Sequence, residues 1–447
     1  MAVSGIEIFK QLPKTNCKDC GFATCLAFAM SLAQGKTELS LCPHVSDEAT
    51  ESLSAASEPP IRTVTVGAGD AAAKAGGETV AFRHEKTFVS PTPIAILVTD
   101  AMDDDEVGAR LAKMDDLQYD RVGLTLAADL VAVKETGGDP AAFAALAARV
   151  SEAGYGVILM SSDEACLSAA LDGCAAAKPL IYAADADNVD AVGALAQTYA
   201  CPVVARGSGL EEVAAVTEKL GAMDLKDIVI DSGANNLGAA LADQVRIRRG
   251  ALSGAAKPLG FPTIALPFEM TDDPMQEAVI ASALIAKYAG IVVLSDFDGA
   301  TLFPLLLERL SIFTDPQRPM ATDEGIYEVG GPGEESPVII TANFSLSYFI
   351  VSGEIESSRV PSYLLVKDTE GLSVMTAWAA GKFVPDEIGP FVKKCGIEEK
   401  VSHRKLVIPG YAAQIAGELE DELPDWEIVV GPREASQLPA FLRSFEA

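Results

Sequence analysis

The sequence predicts an α/β protein in three parts: a small cysteine-rich N-terminal domain, a central (β/α)8 TIM-like barrel, and a C-terminal Rossmann-like α/β domain. Three observations predict it. Four cysteines crowd into the first fifty residues. Eight apolar, β-rich runs then alternate with helical stretches over about 220 residues, the number and length of a (β/α)8 barrel. Four further apolar runs follow a Pro/Gly/acid-rich break, each leading into a helical stretch. The expected boundaries are residues 1–60, 61–314 and 315–447.

The N-terminal part carries the pattern Cys17-x2-Cys20-x4-Cys25-x16-Cys42-Pro43. Four thiolates can hold a tetrahedral zinc or a [4Fe–4S] cube. Structural zinc favours two short Cys-x2–4-Cys knuckles, whereas here three cysteines share one loop and the fourth arrives alone before a proline. That spacing is iron–sulfur in style, and it makes Cys17, Cys20, Cys25 and Cys42 the expected metal ligands. Gly21 allows a tight turn after Cys20. Cys25–Gly35 reads as a short apolar helix. Cys166, Cys174, Cys201 and Cys395 lie in apolar surroundings and read as inert core residues.

Residues 45–61 have linker composition. RTVTVG and ETVAFRHEKTF, within 62–88, read as the arms of a hairpin-like lead-in. The barrel strands are expected at Ile94–Thr99, near Arg121–Leu126, and at Val157–Ser161, Leu180–Ala183, Val203–Arg206, Ile228–Asp231, Thr263–Leu266 and Ile291–Ser295. An open doubly wound sheet would use the same strands. Residues 315–336 read as a second linker. The last domain has strands at Val338–Thr341, Tyr363–Val366, Leu406–Pro409 and Ile428–Val430.

Charge narrows the function. Lys plus Arg total 34 against 64 Asp plus Glu, a net charge of −30. Such a surface repels phosphate backbones and anionic lipid heads, which argues against nucleic-acid and membrane partners. No apolar run reaches the ~20 residues of a membrane span, and the N-terminus lacks a signal-peptide pattern. A cytoplasmic location is expected.

The run CKDCGFATCLAFAMSLAQGKTELSLCP at 17–43 is similar to a small iron–sulfur domain shared by several redox proteins. GETVAFRHEKTF at 77–88, KDTEGLSVMTAWAAGKF at 367–383 and IPGYAAQIAGELEDELPDWEIVVGPREAS at 408–436 add to it. With the order of the three parts, the whole chain resembles the corrinoid iron–sulfur protein large (gamma) subunit family of the acetyl-CoA synthase/decarbonylase system. The resemblance implies a methyl carrier of the reductive acetyl-CoA (Wood–Ljungdahl) pathway rather than an independent catalyst. A cobamide in the C-terminal domain would accept methyl from methyltetrahydrofolate through a separate methyltransferase and pass it to acetyl-CoA synthase/CO dehydrogenase. A barrel-shaped small subunit would complete a heterodimer. The [4Fe–4S] cluster would rescue oxidised cobalt.

Strand ends in an open α/β sheet are where ligands sit. The expected cobamide contacts are Thr341, Leu346, Glu370, Gly371, Leu372, Ser373, Gly410, Tyr411, Ala412, Ala413, Gly431, Pro432 and Glu434. Read plainly, these are also ordinary βα-loop residues. The Asp-x-His-x-x-Gly motif that puts imidazole on cobalt is absent: the histidines are His44, His84 and His403, and none has that context. No protein nitrogen is therefore expected on the metal. In the barrel, Asp100, Asp163, Asp185, Asp231, Asn235, Glu269, Asp296 and Asp298 follow strands. They could bind a pterin, making the chain itself a methyltransferase, but an acidic surface explains them as well. A corrin-free electron-transfer subunit is the third alternative. The two linkers are expected to let the outer domains swing.

Overall fold

The computed structural model describes residues 5–33, 37, 39–46, 49, 59–121, 124–315 and 320–445. These fall into two compact units, one of residues 1–118 and 127–313, the other of 119–126 and 314–447. No helix among the described residues is long and apolar enough to cross a membrane.

The first unit opens with two helices, Gly5–Gln11 and Cys25–Ala33. They pack through Ile8, Leu12, Phe28 and Ala29 around Cys25 and Cys42. Of the larger side chains on the second helix, Phe28 is buried, whereas Leu26 and Met30 face solvent. Most of the expected linker 45–61 lies outside the described residues.

The lead-in is a hairpin, but not the one expected. Strand β1 (Val64–Val66) pairs antiparallel with β2 (Ala73–Ala75). The second arm is thus the Ala-rich stretch, because Val64, Val66 and Ala75 bury against the barrel interior. Residues 77–88 form no strand.

The barrel closes with eight parallel strands: β3 (Ile94–Thr99), β6 (Leu130–Lys134), β7 (Gly156–Met160), β8 (Leu180–Ala184), β9 (Val203–Arg206), β10 (Ile228–Asp231), β11 (Thr263–Ala265) and β12 (Ala289–Leu294). β12 pairs with β3 and completes the ring. The stretch expected as the second strand is instead an antiparallel hairpin of β4 (Tyr119–Arg121) and β5 (Leu124–Leu126). It groups with the second unit, where the Arg121 guanidinium lies 5.8 Å from the centre of the Phe349 ring. The true second barrel strand, Leu130–Lys134, pairs with β3 and β7. Its LVAV run is buried throughout, whereas Leu124 is half exposed.

Aspartates start several barrel helices. Asp103 and Glu106 form a reciprocal capping box, and Asp139, Asp163 and Asp273 accept hydrogen bonds from first-turn amides. Cys166, Cys174 and Cys201 are buried, and burial pushes the thiols of Cys174 and Cys201 up to about 11. They stay protonated near neutral pH.

The second unit is a five-stranded sheet in the order β13-β15-β14-β16-β17. β14 (Val338–Ala342), β15 (Ser362–Lys367), β16 (Lys405–Ile408) and β17 (Glu427–Val430) run parallel. The fifth, β13 (Gly325–Val329), lies inside the stretch expected to be a linker and pairs antiparallel with β15 over five residues. Its neighbours are Pro, Gly and acids, which masked the short apolar pattern. Ile340, Leu365, Leu406, Phe383 and Leu419 fill one face of the sheet; Ile339, Leu364, Val366 and Val407 fill the other.

Candidate functional site

Each unit presents one site. In the first, residues 13–20 wind an irregular loop in which Lys14, Asn16 and Lys18 all have positive φ, at 59°, 50° and 71°. Alternating left-handed residues turn backbone N–H groups into a concavity, the nest geometry common at phosphate and iron–sulfur sites. Gly21, at φ 80°, closes the turn by donating its N–H to the Lys18 carbonyl. The Asn16 side chain accepts from the Cys25 N–H at 2.8 Å, which ties the loop to the start of the helix. Cys42 donates its N–H to the Leu39 carbonyl. Cys25 and Cys42 are buried in one apolar cluster, Cys20 packs against it, and Cys17 is exposed. Beside Cys17, His44 Nε2 meets Asp19 Oδ2 at 2.6 Å, and that bond holds the Asp19 carboxyl below its ordinary range.

In the second unit, strand order reverses between β14 and β16, since β15 lies to one side of β14 and β16 to the other. That switch point opens a crevice at the carboxyl ends of the strands. A cavity of about 270 Å³ sits there, walled by Ile350, Val351, Val374, Met375, Val407 and Leu438, with Thr341, Ser347, Ser373, Tyr411 and Arg433 as its polar groups. Apolar side chains stay exposed nearby: Leu346 and Ile350 on one helix, Met375 and Trp378 on another, with Tyr411 and Val430. Contiguous exposed apolar surface around a cavity marks a binding site.

Buried Asn343 builds the loop after β15. Its Oδ1 accepts from the N–H groups of Thr369 and Gly371 and from the Thr369 hydroxyl, all at 2.9–3.0 Å, while its Nδ2 donates to Asp368. The glycines serve backbone approach. A Cβ on Gly410 would lie 2.6 Å from the Gly431 carbonyl oxygen. Gly371, at φ 75°, completes the turn that Asn343 holds.

A Moorella thermoacetica protein described as "Corrinoid/iron-sulfur protein large subunit" is 45% identical over 445 residues, spanning 99% of this chain and 99% of its own length. The chain belongs to the corrinoid/iron–sulfur protein large-subunit family. The family model "CO dehydrogenase/acetyl-CoA synthase delta subunit" matches residues 63–442, and the model "Putative Fe-S cluster" matches 12–44. The acetyl-CoA decarbonylase/synthase complex subunit gamma of Methanothermobacter thermautotrophicus is 34% identical, over 99% of each chain. That of Archaeoglobus fulgidus is 35% identical, over 98% of this chain and 97% of its own.

For this member of the large-subunit family, five residues expected at the C-terminal site line the cavity: Thr341, Ser373, Tyr411, Gly431 and Pro432. Glu434 bonds the Tyr411 hydroxyl at 2.9 Å. Glu370 pairs with Lys382, and Ala412 is buried in the core. Leu346, Gly371, Leu372, Gly410 and Ala413 are not among the lining residues. Sequence reasoning missed Ile350, Val351 and Met375, because it looked at strand ends and not at helix faces turned toward them, and passed over Arg433 within a strand end that it did consider.

The barrel acids have local tasks. Asp163 and Asp298 cap helices, Asp185 accepts from the N–H groups of Asp187 and Asn188, and Asp100 accepts from the Thr136 N–H. Asp296 pairs with Lys113 at 2.7 Å.

Proposed function

We propose that this chain is the methyl-carrying large subunit of a corrinoid iron–sulfur protein, with a cobamide at the C-terminal cavity and a [4Fe–4S] cluster on Cys17, Cys20, Cys25 and Cys42. The observation that carries the reading is the apolar-rimmed cavity at the sheet's switch point, in a chain akin over its full length to a corrinoid protein. Bound there, a cobamide would supply a cobalt centre able to carry a methyl group, with methyltetrahydrofolate as the source by way of a methyltransferase and acetyl-CoA synthase as the recipient, and the cluster would supply single electrons for reactivation.

The residues present fit both groups. The nest at Lys14, Asn16 and Lys18 suits an anionic cluster, to which its N–H groups can donate. The apolar packing around Cys25 and Cys42 limits water at the thiolates. At the cavity, Ile350, Met375 and Tyr411 would lie against the flat macrocycle. Thr341, Ser373 and Arg433 would meet its polar periphery, and Asn343 would keep the 368–373 loop in place.

The histidines support a cobalt without a protein nitrogen. His403 precedes β16, at the opposite end of that strand from the cavity, and both its ring nitrogens are engaged: Nε2 with the Ser336 carbonyl and Nδ1 with the Lys405 N–H. His84 stacks on Phe82, and His44 pairs with Asp19. Withholding a nitrogen ligand favours the reduced metal.

The reading includes domain boundaries near residues 60 and 314, a small-subunit partner, a methyltransferase, and acetyl-CoA synthase. No disulfide joins any of the eight cysteines, in keeping with a cytoplasmic location. Metal analysis of anaerobically purified protein tests the reading. About four iron atoms and about one cobalt per chain are expected. Stoichiometric zinc would overturn the cluster, and folded protein unable to take up cobamide would overturn the carrier role. EPR of the cobalt(II) protein should show no superhyperfine feature that changes when the protein's histidines are labelled with nitrogen-15.

A further inference from the structure

Acids outnumber bases 64 to 34 along this chain. The C-terminal cavity runs against that balance. Among the described residues, Arg433 is the one charged side chain that lines it, and no acid does.

Arg433 follows β17 and makes no side-chain hydrogen bond or ion pair among the described residues. The adjacent acid, Glu434, is turned to the Tyr411 hydroxyl at 2.9 Å. Cations that serve the fold of this unit are closed up differently: Lys367 on Glu324 at 2.7 Å and Lys400 on Glu328 at 2.8 Å. Two hydroxyls in the cavity wall are also unspent. Thr341, near the carboxyl end of β14, is only 2% exposed, yet its hydroxyl makes no hydrogen bond among the described residues. An unpaired hydroxyl at so buried a position is costly unless something in the cavity meets it. Ser347 lines the same cavity from the first turn of the 14-residue helix Ser345–Ser358, and its hydroxyl is likewise unbonded among the described residues. The cap residue of that helix, Phe344, offers no side-chain acceptor, and its first turn holds no acid. The positive end of the helix is thus left without a compensating charge beside the cavity.

A guanidinium, two hydroxyls and an uncapped helix end all favour an anionic acceptor, and the several oxygens of a phosphate can meet them together. We infer that the C-terminal cavity contains a phosphate subsite formed by Arg433, Thr341 and Ser347, which selects corrinoids that carry the phosphodiester of a nucleotide loop over corrinoids that lack it. The inference rests on the carrier reading and adds which part of the ligand the chain recognises. Arg433 is then the residue that sets this specificity.

The test is titration of the full-length protein, with its cluster intact and its corrinoid removed, followed by corrin absorbance. The ligands are cobinamide, which has no phosphate, cobinamide phosphate, and cobalamin, which adds the base. Cobinamide phosphate should bind roughly tenfold or more tightly than cobinamide. Arg433→Met should erase most of that preference and leave the affinity for cobinamide unchanged, whereas Arg433→Lys should keep part of it. The further step from cobinamide phosphate to cobalamin should be the same in Arg433→Met as in the parent. Thr341→Val should weaken cobinamide phosphate alone; if that variant misfolds, the exposed position of Arg433 leaves its two variants to decide. Equal affinity for cobinamide and its phosphate, or a preference that survives in Arg433→Met, would overturn the phosphate subsite while the carrier reading stood. Adenosine monophosphate bound through Arg433, with no gain of cobinamide phosphate over cobinamide, would overturn it in favour of a free phosphoester. Failure of all three corrinoids to bind would remove the carrier reading and this inference together.

Discussion

Asn343 offers the sharpest test of how the C-terminal site is built. Replacing it with Ala removes the acceptor for the buried N–H groups of Thr369 and Gly371, as well as for the Thr369 hydroxyl. Each orphaned buried donor costs about 1–3 kcal/mol. Thr369 is fully buried and Asn343 nearly so, leaving water little access to make up the loss. Allowing for relaxation, Asn343→Ala should destabilise the second unit by about 2–5 kcal/mol. The chain's two tryptophans, Trp378 and Trp426, both lie in that unit, so tryptophan fluorescence in urea follows its unfolding alone. The midpoint should fall with little change in slope. Cobalt retention should drop as well, because Ser373 and Met375 stand just beyond the loop. A loss under about 1 kcal/mol would show that other groups hold the loop and would refute this accounting.

Other perturbations separate the remaining claims. Gly410→Ala forces a methyl group against the Gly431 carbonyl oxygen and the Arg433 nitrogen, at 2.6 and 2.7 Å, so β16 and β17 must part. It should cost about 1–3 kcal/mol in the fluorescence melt and reduce bound cobalt. Cys25→Ala should abolish stoichiometric iron, while Cys166→Ala, in the barrel, should leave iron content unchanged. Glu277 is buried and accepts from the Ser295 N–H and hydroxyl, both at 2.6 Å; burial raises its carboxyl above the ordinary 4.5. The folded state thus holds this proton more tightly than the unfolded chain. The site's contribution to stability falls as pH rises from 4.5 to the raised value and is flat above it. Glu277→Gln has no proton to lose, so its stability relative to the parent should improve across that window. A stability difference that does not change with pH, from urea melts followed by far-UV circular dichroism, would count against a raised Glu277.

Much of this protein was legible in sequence because the signals are local. The spacing of Cys17, Cys20, Cys25 and Cys42 fixes which thiols share a loop. The apolar runs at Ile94–Thr99, Leu180–Ala184 and Val338–Ala342 are buried on both faces, as strands flanked by helices must be. Tertiary structure decided the rest, because pairing depends on residues far apart in the chain. Tyr119–Leu126 and Leu130–Lys134 both carry β-rich patterns, and only the second finds β3 and β7 on either side. Gly325–Val329 becomes a strand only because β15 offers it an open edge. The cavity arises where strand order reverses between β14 and β16, a property of the sheet and of no single segment.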